Sequence, residues 1–260
     1  MRSRLLASFD ILTARRSSRT RSPQIEMENI NQRKNERRLY TAAAFAIVLI
    51  VLTGFARTYY LKGVFGTPPL PGLLHFHGVV MTLWVAFFVV QVRLIAAHRT
   101  NLHRRLGAIG GLLAGLVVVV GVTTAISAAR RGGSPGPPPL VFLAIPLFDM
   151  LIFSGFVAAG LFFRRRSDIH KRLMLLSCAG FLTAAVARIP LSFVATGGPL
   201  VFFGLTDLFV LAFVAFDTVK HRRLHPVFGW GLPIIIASQP LRLMVAGTQA
   251  WMTFANWLVG

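Results

Sequence analysis

Long apolar runs separated by short loops constrain the fold of this chain more than any other feature. A run of about 18 or more apolar residues is long enough to cross a bilayer as a helix, since ~20 residues rising 1.5 Å each span ~30 Å. Only 14% of the 260 residues are charged and 55% are hydrophobic, whereas soluble domains carry about 25% charged residues. The sequence therefore predicts an all-α polytopic transmembrane helix bundle of about seven spans. The runs lie near residues 39–56, 73–97, 106–129, 140–163, 173–194, 200–219 and from 228 onward.

Basic residues alternate between the two sides of this predicted bundle. The loops before spans one, three, five and seven hold fifteen Lys and Arg residues, and the other loops hold four. Because cytoplasmic loops carry the excess of positive charge, this predicts the N-terminus inside, the C-terminus outside and a bacterial inner membrane location. The net charge of +20 is then a topology signal. It favours anionic headgroups at the cytoplasmic face as partners over nucleic acid, and it leaves open a homo-oligomer or a membrane partner.

The first 37 residues differ in composition from the rest of the chain. Six arginines stand among serines before residue 22, a pattern that an Arg-rich targeting peptide can share. We favour a basic disordered tail, or a start site placed upstream of the true one at Met27. Residues 38–260 are predicted to form the transmembrane domain, in which the single cysteine, Cys178, excludes an intramolecular disulfide.

A seven-residue pattern occurs twice on the basic side. Thr100-Asn101-Leu102-His103-Arg104-Arg105-Leu106 matches Ser167-Asp168-Ile169-His170-Lys171-Arg172-Leu173 in residue type at every position. Each copy precedes a helix that runs outward, and Asn101 and Asp168 are expected to cap those helices. The pattern predicts a hairpin pseudo-repeat, residues 73–129 and 140–194, related by an axis along the membrane normal.

The repeated histidines suggest a cofactor site. His103 and His170 begin two helices at equivalent depth, and two imidazoles at one depth could supply both axial ligands of a b-type haem. The neighbouring basic residues, with Arg172 among them, could then pair with the haem propionates. The simpler alternative is that both motifs only anchor the helix ends at the membrane surface. A small redox or haem-associated membrane protein is the leading functional hypothesis.

A second group of ionisable residues is predicted in the outer half of the membrane. An ionisable side chain in hydrocarbon costs at least ~2.5–3.5 kcal/mol, so such residues pair with one another, face a cavity or serve a function. One interpretation is an ion-pair network that fixes helix register. The alternative is a polar cavity of a transporter or small-molecule-binding protein. The residues of this layer are His77, Asp149, Arg188, Asp207 and Arg242.

Other features are predicted to be structural. Asp217 is expected to pair at the surface with Lys220 and His221 one turn away. Glycines at 107, 111 and 115 have the spacing that lets helices approach closely, whereas Gln91 has no partner that the sequence identifies. Phosphate-loop, Gly-x-Ser-x-Gly and His-Glu-x-x-His patterns are absent, so these motifs identify no enzyme class, and the identity of any bound metal stays open.

The stretch from Leu74-His75-Phe76-His77-Gly78 through Gln91 to Leu102-His103-Arg104-Arg105-Leu106-Gly107 resembles a family of bacterial multi-pass membrane proteins. The resemblance covers about residues 70 to 125, and a second block runs from His170 to Pro190. The resemblance implies a membrane helix bundle but does not imply any activity. An assembly or scaffold protein without catalysis therefore stays open as a third functional alternative.

Overall fold

Helices make up nearly all of the computed structural model, which describes residues 23–134 and 136–260. No β-strand occurs within those two ranges. A π-helical turn, Ala56–Tyr60, continues the first helix. The α-helices of the described chain are α1 (Pro23–Phe55), α2 (Gly72–Ala96), α3 (Thr100–Arg130), α4 (Pro139–Phe142), α5 (Ala144–Phe162), α6 (Ser167–Ala179), α7 (Leu182–Val186), α8 (Ser192–His221), α9 (Pro226–Ala246) and α10 (Gln249–Val259).

Seven stretches of these helices are long and apolar enough to cross a membrane, which confirms the predicted all-α bundle of seven spans. The chain is an integral membrane protein. We call the end of the bundle that carries the loops 97–99, 163–166 and 222–225 the basic face, and the other end the opposite face. Spans 1 to 7 are Ile30–Tyr60, Gly72–Ala96, Thr100–Arg130, Pro139–Phe162, Ser167–Val186, Ser192–His221 and Pro226–Ala246.

Span 5 is the most buried of the seven and forms the centre of the bundle. Its Leu173, Leu176 and Leu182 are fully buried. On span 1, Gly54 packs against the backbone of span 5 so closely that a Cβ would overlap the carbonyl oxygen of Ala185. Small residues allow such approaches between membrane helices, where van der Waals contact drives packing.

The repeated heptapeptides begin their helices at equivalent positions, but not through the expected caps. Helices α3 and α6 start at Thr100 and Ser167, so Asn101 and Asp168 lie in the first turn rather than at the cap. The cap positions are Arg99 and Arg166, and neither makes a side-chain capping bond. The predicted caps are therefore wrong, because each helix begins one residue before the candidate capping residue.

The helices break near the opposite face at three places that the apolar runs do not reveal. Span 5 is interrupted between α6 and α7 and ends at Val186, earlier than the predicted end at residue 194. In span 6, Gly198 has a φ of 61° before Pro199, which kinks α8. Residues 187–191 thus form a turn at the opposite face instead of continuing the helix.

The last apolar run forms two helices rather than one. Span 7 ends at Ala246, and α10 starts after Thr248, whose hydroxyl accepts a hydrogen bond from the Trp251 amide at 3.1 Å. The guanidinium of Arg130 donates to the carbonyl of Val259 at 2.7 Å and so holds the end of α10 against span 3. An amphipathic helix with exposed aromatic residues at this level suits a membrane interface.

The predicted N-terminal tail falls partly outside the described chain. Residues 1–22 lie outside the described residues. Residues 23–37 belong to α1, which starts at Pro23. The predicted boundary near residue 38 therefore falls within a continuous helix.

Candidate functional site

The two repeated histidines meet near the basic face. The ring centres of His103 and His170 are 6.1 Å apart, and the ring planes make an angle of 78°. A metal held between two opposed imidazole nitrogens at about 2 Å each places the ring centres roughly 6 Å apart. The observed ring-centre distance is close to this value, so the two imidazoles lie near enough to each other to contact one shared ligand.

A backbone carbonyl orients the second of these rings. His170 Nδ1 lies 2.8 Å from the carbonyl oxygen of Gly160. The His103 ring lies beside the backbone of Gln91, and its Nδ1 is buried without a hydrogen-bond partner among the described residues. Histidines that bind metals generally donate their other ring N–H to a carbonyl or carboxylate, which selects the tautomer and fixes the ring. His170 has this arrangement.

Gln91 adds further unsatisfied polar atoms beside this pair. Its side-chain Nε2 and Oε1 are both buried, and neither has a hydrogen-bond partner among the described residues. Buried polar atoms are normally hydrogen-bonded, so such a group calls for water, an ion or a ligand. The side-chain amide of Gln91 and the Nδ1 of His103 thus both lack partners in the described chain, and both lie at the basic-face end of spans 2 and 3.

Space is available on the helix face above His103. Gly107 lies one turn after it, and a Cβ there would meet no atom within 4 Å. A Cβ at Gly111 would touch only the Leu161 side chain, at 3.6 Å. The expected packing role of these glycines is therefore wrong for Gly107 and for Gly115, where a Cβ would also meet no atom within 4 Å. The tightly packed glycines of span 3 are Gly110, against Phe87, and Gly121, against Met150.

Asp217 and Arg172 form a buried ion pair that the sequence did not predict. The Arg172 guanidinium makes three hydrogen bonds to Asp217, from Nη2 at 2.8 and 3.0 Å and from Nε at 3.1 Å, and both side chains are almost fully buried. Asp217 is therefore not at the surface, although it also lies 3.5 Å from His221 Nδ1. Because its charge is neutralised by Asp217, Arg172 is not free for a propionate.

Asp168 and His225 make a second contact at the basic face. The His225 Nε2 is 3.5 Å from an Asp168 oxygen, while its Nδ1 accepts the Val227 amide at 3.2 Å and so caps span 7. Burial, and next the charge of Arg172, lower the pKa of His225 below its usual range. His225 is consequently held neutral, with its Nδ1 lone pair in use.

In the opposite half of the bundle, Asp149 and Arg242 form an ion pair. The Arg242 Nη1 donates to Asp149 Oδ1, and both side chains are buried. Arg242 also donates from Nε to the Ser238 carbonyl at 3.1 Å and from Nη2 to the Ser238 hydroxyl at 3.0 Å. Spans 4 and 7 are thereby joined by hydrogen bonds among Asp149, Arg242 and Ser238.

The other three residues of the predicted layer are not part of this pair. Asp207 accepts a hydrogen bond from the Gln239 amide at 2.7 Å, so its partner is neutral. Arg188 lies in the turn after span 5 and donates to the Ala184 carbonyl at 2.6 Å. The predicted layer therefore separates into Asp149 with Arg242, Asp207 with Gln239, and an Arg188 without a carboxylate in the described chain.

Arg188 and His77 share a region where spans 1, 2 and 5 meet. The guanidinium lies 5.0 Å from the centre of the Phe55 ring, and Arg188 is an electrostatic neighbour of His77. The Nδ1 of His77 is buried and has no hydrogen-bond partner. Sequence reasoning identified these two residues but missed Phe55, which only the close contact of spans 1 and 5 brings here.

A tyrosine from the π-helical turn borders the same region. The Tyr59 ring lies on Gly78, where a Cβ would overlap it, and its hydroxyl donates to the His75 carbonyl at 3.2 Å. π-helical turns occur mostly as single-turn insertions and frequently at functional sites. The glycine of the His-x-His-Gly motif is thus required by the packing of Tyr59.

Comparison with protein-family models, with curated proteins and with solved structures gave no match.

Proposed function

We propose that this integral membrane protein is a redox protein that binds one b-type haem through His103 and His170. The observation that carries the proposal is the 6.1 Å separation of the two ring centres at the basic face. A bound haem supplies one-electron chemistry, and the protein positions it and tunes its surroundings. The residues named below would hold and orient that group.

The hydrogen bonds around the two histidines support ligation. The Gly160 carbonyl occupies the Nδ1 of His170 and leaves Nε2 for the metal. For His103 the buried Nδ1 makes no hydrogen bond within the described residues and is therefore available to a ligand. A merely anchoring histidine would direct its polar atoms to headgroups or water instead of burying one of them unsatisfied.

The surroundings of the pair are compatible with a flat, anionic macrocycle. The open surface at Gly107 leaves room beside His103. Arg104 and Arg105 are exposed next to it and are suited to pairing with propionates. Arg172 is excluded from that role by its bond to Asp217.

Asp149 and Arg242 neutralise each other's charge, which favours a structural role for these two residues over a role in transport. The two charges compensate each other without a ligand, and removing one partner would leave the other charge buried and uncompensated. We therefore assign this pair to helix packing between spans 4 and 7. No contact among the described residues favours the scaffold hypothesis over haem binding.

The test is the haem content of protein purified after expression with ample haem. We expect one haem per chain in the wild type and at least a tenfold loss in His103→Ala and in His170→Ala, since each removes a ligand. His75→Phe is the matched control, because His75 lies at the opposite end of span 2, against Tyr59. A wild-type protein without a Soret band and without iron by elemental analysis would refute the proposal.

A further inference from the structure

Arg188 combines two properties that are rarely found together. Its side chain is accessible to solvent, yet protein encloses it closely enough that burial lowers the pKa of its guanidinium. The turn 187–191, which follows the end of span 5 at Val186, places this side chain beside Phe55 of span 1 and Ala184 of span 5. We call the space beside these residues the crevice.

The positive charge in this crevice has no counter-charge in the described chain. No described carboxylate lies within ion-pair distance of Arg188, since Asp149 is bonded to Arg242 and Asp207 to Gln239. The Phe55 ring at 5.0 Å offsets part of the cost of enclosing the guanidinium. The guanidinium therefore has free donors and no internal counter-charge among the described residues, so it can bind an external anion.

The donors in the crevice are suited to the oxygens of an anion. Arg188 forms one hydrogen bond to protein, with Ala184, out of the five N–H donors that a guanidinium carries. The remaining donors form a planar fork that matches carboxylate and phosphate oxygens. His77 adds a buried ring nitrogen without a partner from the neighbouring span.

We propose that Arg188 and His77 form an oxyanion-binding site that opens to the opposite face. Its ligand carries a carboxylate or phosphate group, either on a free small anion or on an acidic lipid headgroup. The guanidinium binds two oxygens, and His77 contacts the same group from span 2. The site is independent of the haem proposal, because none of its residues contacts His103 or His170.

The experiment follows thermal unfolding of the full-length purified protein in a non-ionic detergent. Inorganic phosphate, acetate and phosphatidylglycerol are titrated separately, with phosphatidylcholine as the uncharged-lipid control. At a hundredfold excess over Kd, we expect the Tm of the wild type to rise by about 5–10 °C. Stabilisation by phosphate or acetate identifies a free anion, and stabilisation by phosphatidylglycerol alone identifies a headgroup.

Variants distinguish this site from general effects of salt or lipid. Arg188→Gln is expected to abolish the rise in Tm, whereas Arg131→Gln keeps it, because Arg131 is an exposed arginine of the same face that bonds to Ser127 of its own helix. If Arg188→Gln does not fold, Arg188→Lys is the substitute, and we expect it to bind at least fivefold more weakly because it lacks the fork. The proposal is wrong if no anion stabilises the wild type, or if the variants at 188 respond as the wild type does.

Discussion

The two copies of the heptapeptide have the same residue types but different surroundings. In the second copy, Arg172 is buried against Asp217 of span 6. Its counterpart in the first copy, Arg105, is exposed. Only the histidines play the same part in both copies, since His103 and His170 face each other.

The difference follows from where each copy enters the bundle. The second copy begins span 5, the most buried span, whereas the first begins span 3, whose basic end is largely exposed. A residue type at a given position of the repeat therefore does not determine its role. Burial decides whether the arginine needs a carboxylate, and the tertiary fold decides whether one is present.

The largest contrast is expected between the two arginines. Arg172→Ala leaves Asp217 buried without its partner and should lower the free energy of unfolding by about 3–5 kcal/mol. Arg105→Ala should change it by less than ~0.5 kcal/mol, as for other surface substitutions. Chemical unfolding of both variants in detergent measures the difference. Similar losses in both would show that burial does not separate the two copies.

Exchanging one residue between the copies should separate haem binding from folding. Gly107 of span 3 corresponds to Met174 of span 5, whose sulfur packs against Gly160. Gly107→Met places a long side chain in the open space beside His103, so we expect haem content to fall about tenfold while the Tm of the haem-free protein is unchanged. Gly107→Ala is the control that keeps the space. Full haem content in Gly107→Met would place the haem elsewhere.

A pH dependence of stability is expected from the second copy, through His225. Its folded-state pKa lies below its usual value, so the unfolded chain binds the proton more readily. Stability is therefore complete above the usual histidine pKa of about 6.5 and decreases as the pH falls below it.

The matching variant is His225→Asn, which retains a good N-cap for span 7 but does not titrate. Between pH 7 and pH 5 we expect its Tm to fall less than that of the wild type, because the variant has no imidazole that must be protonated on unfolding. Parallel Tm profiles for the two proteins would exclude His225 as the titrating group.

The smallest effect is expected at the acid of the second copy. Asp168→Asn makes this position equal to Asn101 of the first copy and weakens the contact with His225 at 3.5 Å. Because Asp168 is mostly exposed, the stability should change by less than ~1 kcal/mol. A larger loss, measured by chemical unfolding, would indicate that Asp168 has a structural role which Asn101 lacks.

Properties that depend on local sequence could be predicted, whereas partners across the bundle could not. The seven spans follow from hydropathy, which each segment carries by itself. The proximity of His103 and His170 could be predicted because each is the fourth residue of its helix. Both helices start at the basic face, so the two histidines lie at the same depth in the membrane. Arg172 and Asp217 are 45 positions apart, so no local sequence pattern links them. The local pattern predicted only Lys220 and His221 as partners of Asp217.

The opposite face was harder to predict because its helices are broken there. Arg188 was expected within a helix, but the turn after Val186 moves it into a crevice. Gln239 was not considered as a partner for Asp207, since a neutral amide in an apolar helix carries no charge signal. Tyr59 reaches Gly78 because of a π-helical turn, which hydropathy cannot reveal.

Electron paramagnetic resonance of the ferric protein tests the central claim most directly, because it reports the ligands on both sides of the iron. We predict a low-spin, six-coordinate signal in the wild type. In His103→Ala and in His170→Ala that signal should be lost, either with the haem or through conversion to a high-spin form. A low-spin signal that persists in either variant, or a wild-type protein without any iron signal after haem-supplemented expression, would contradict the assignment of these two histidines as opposed ligands of one haem.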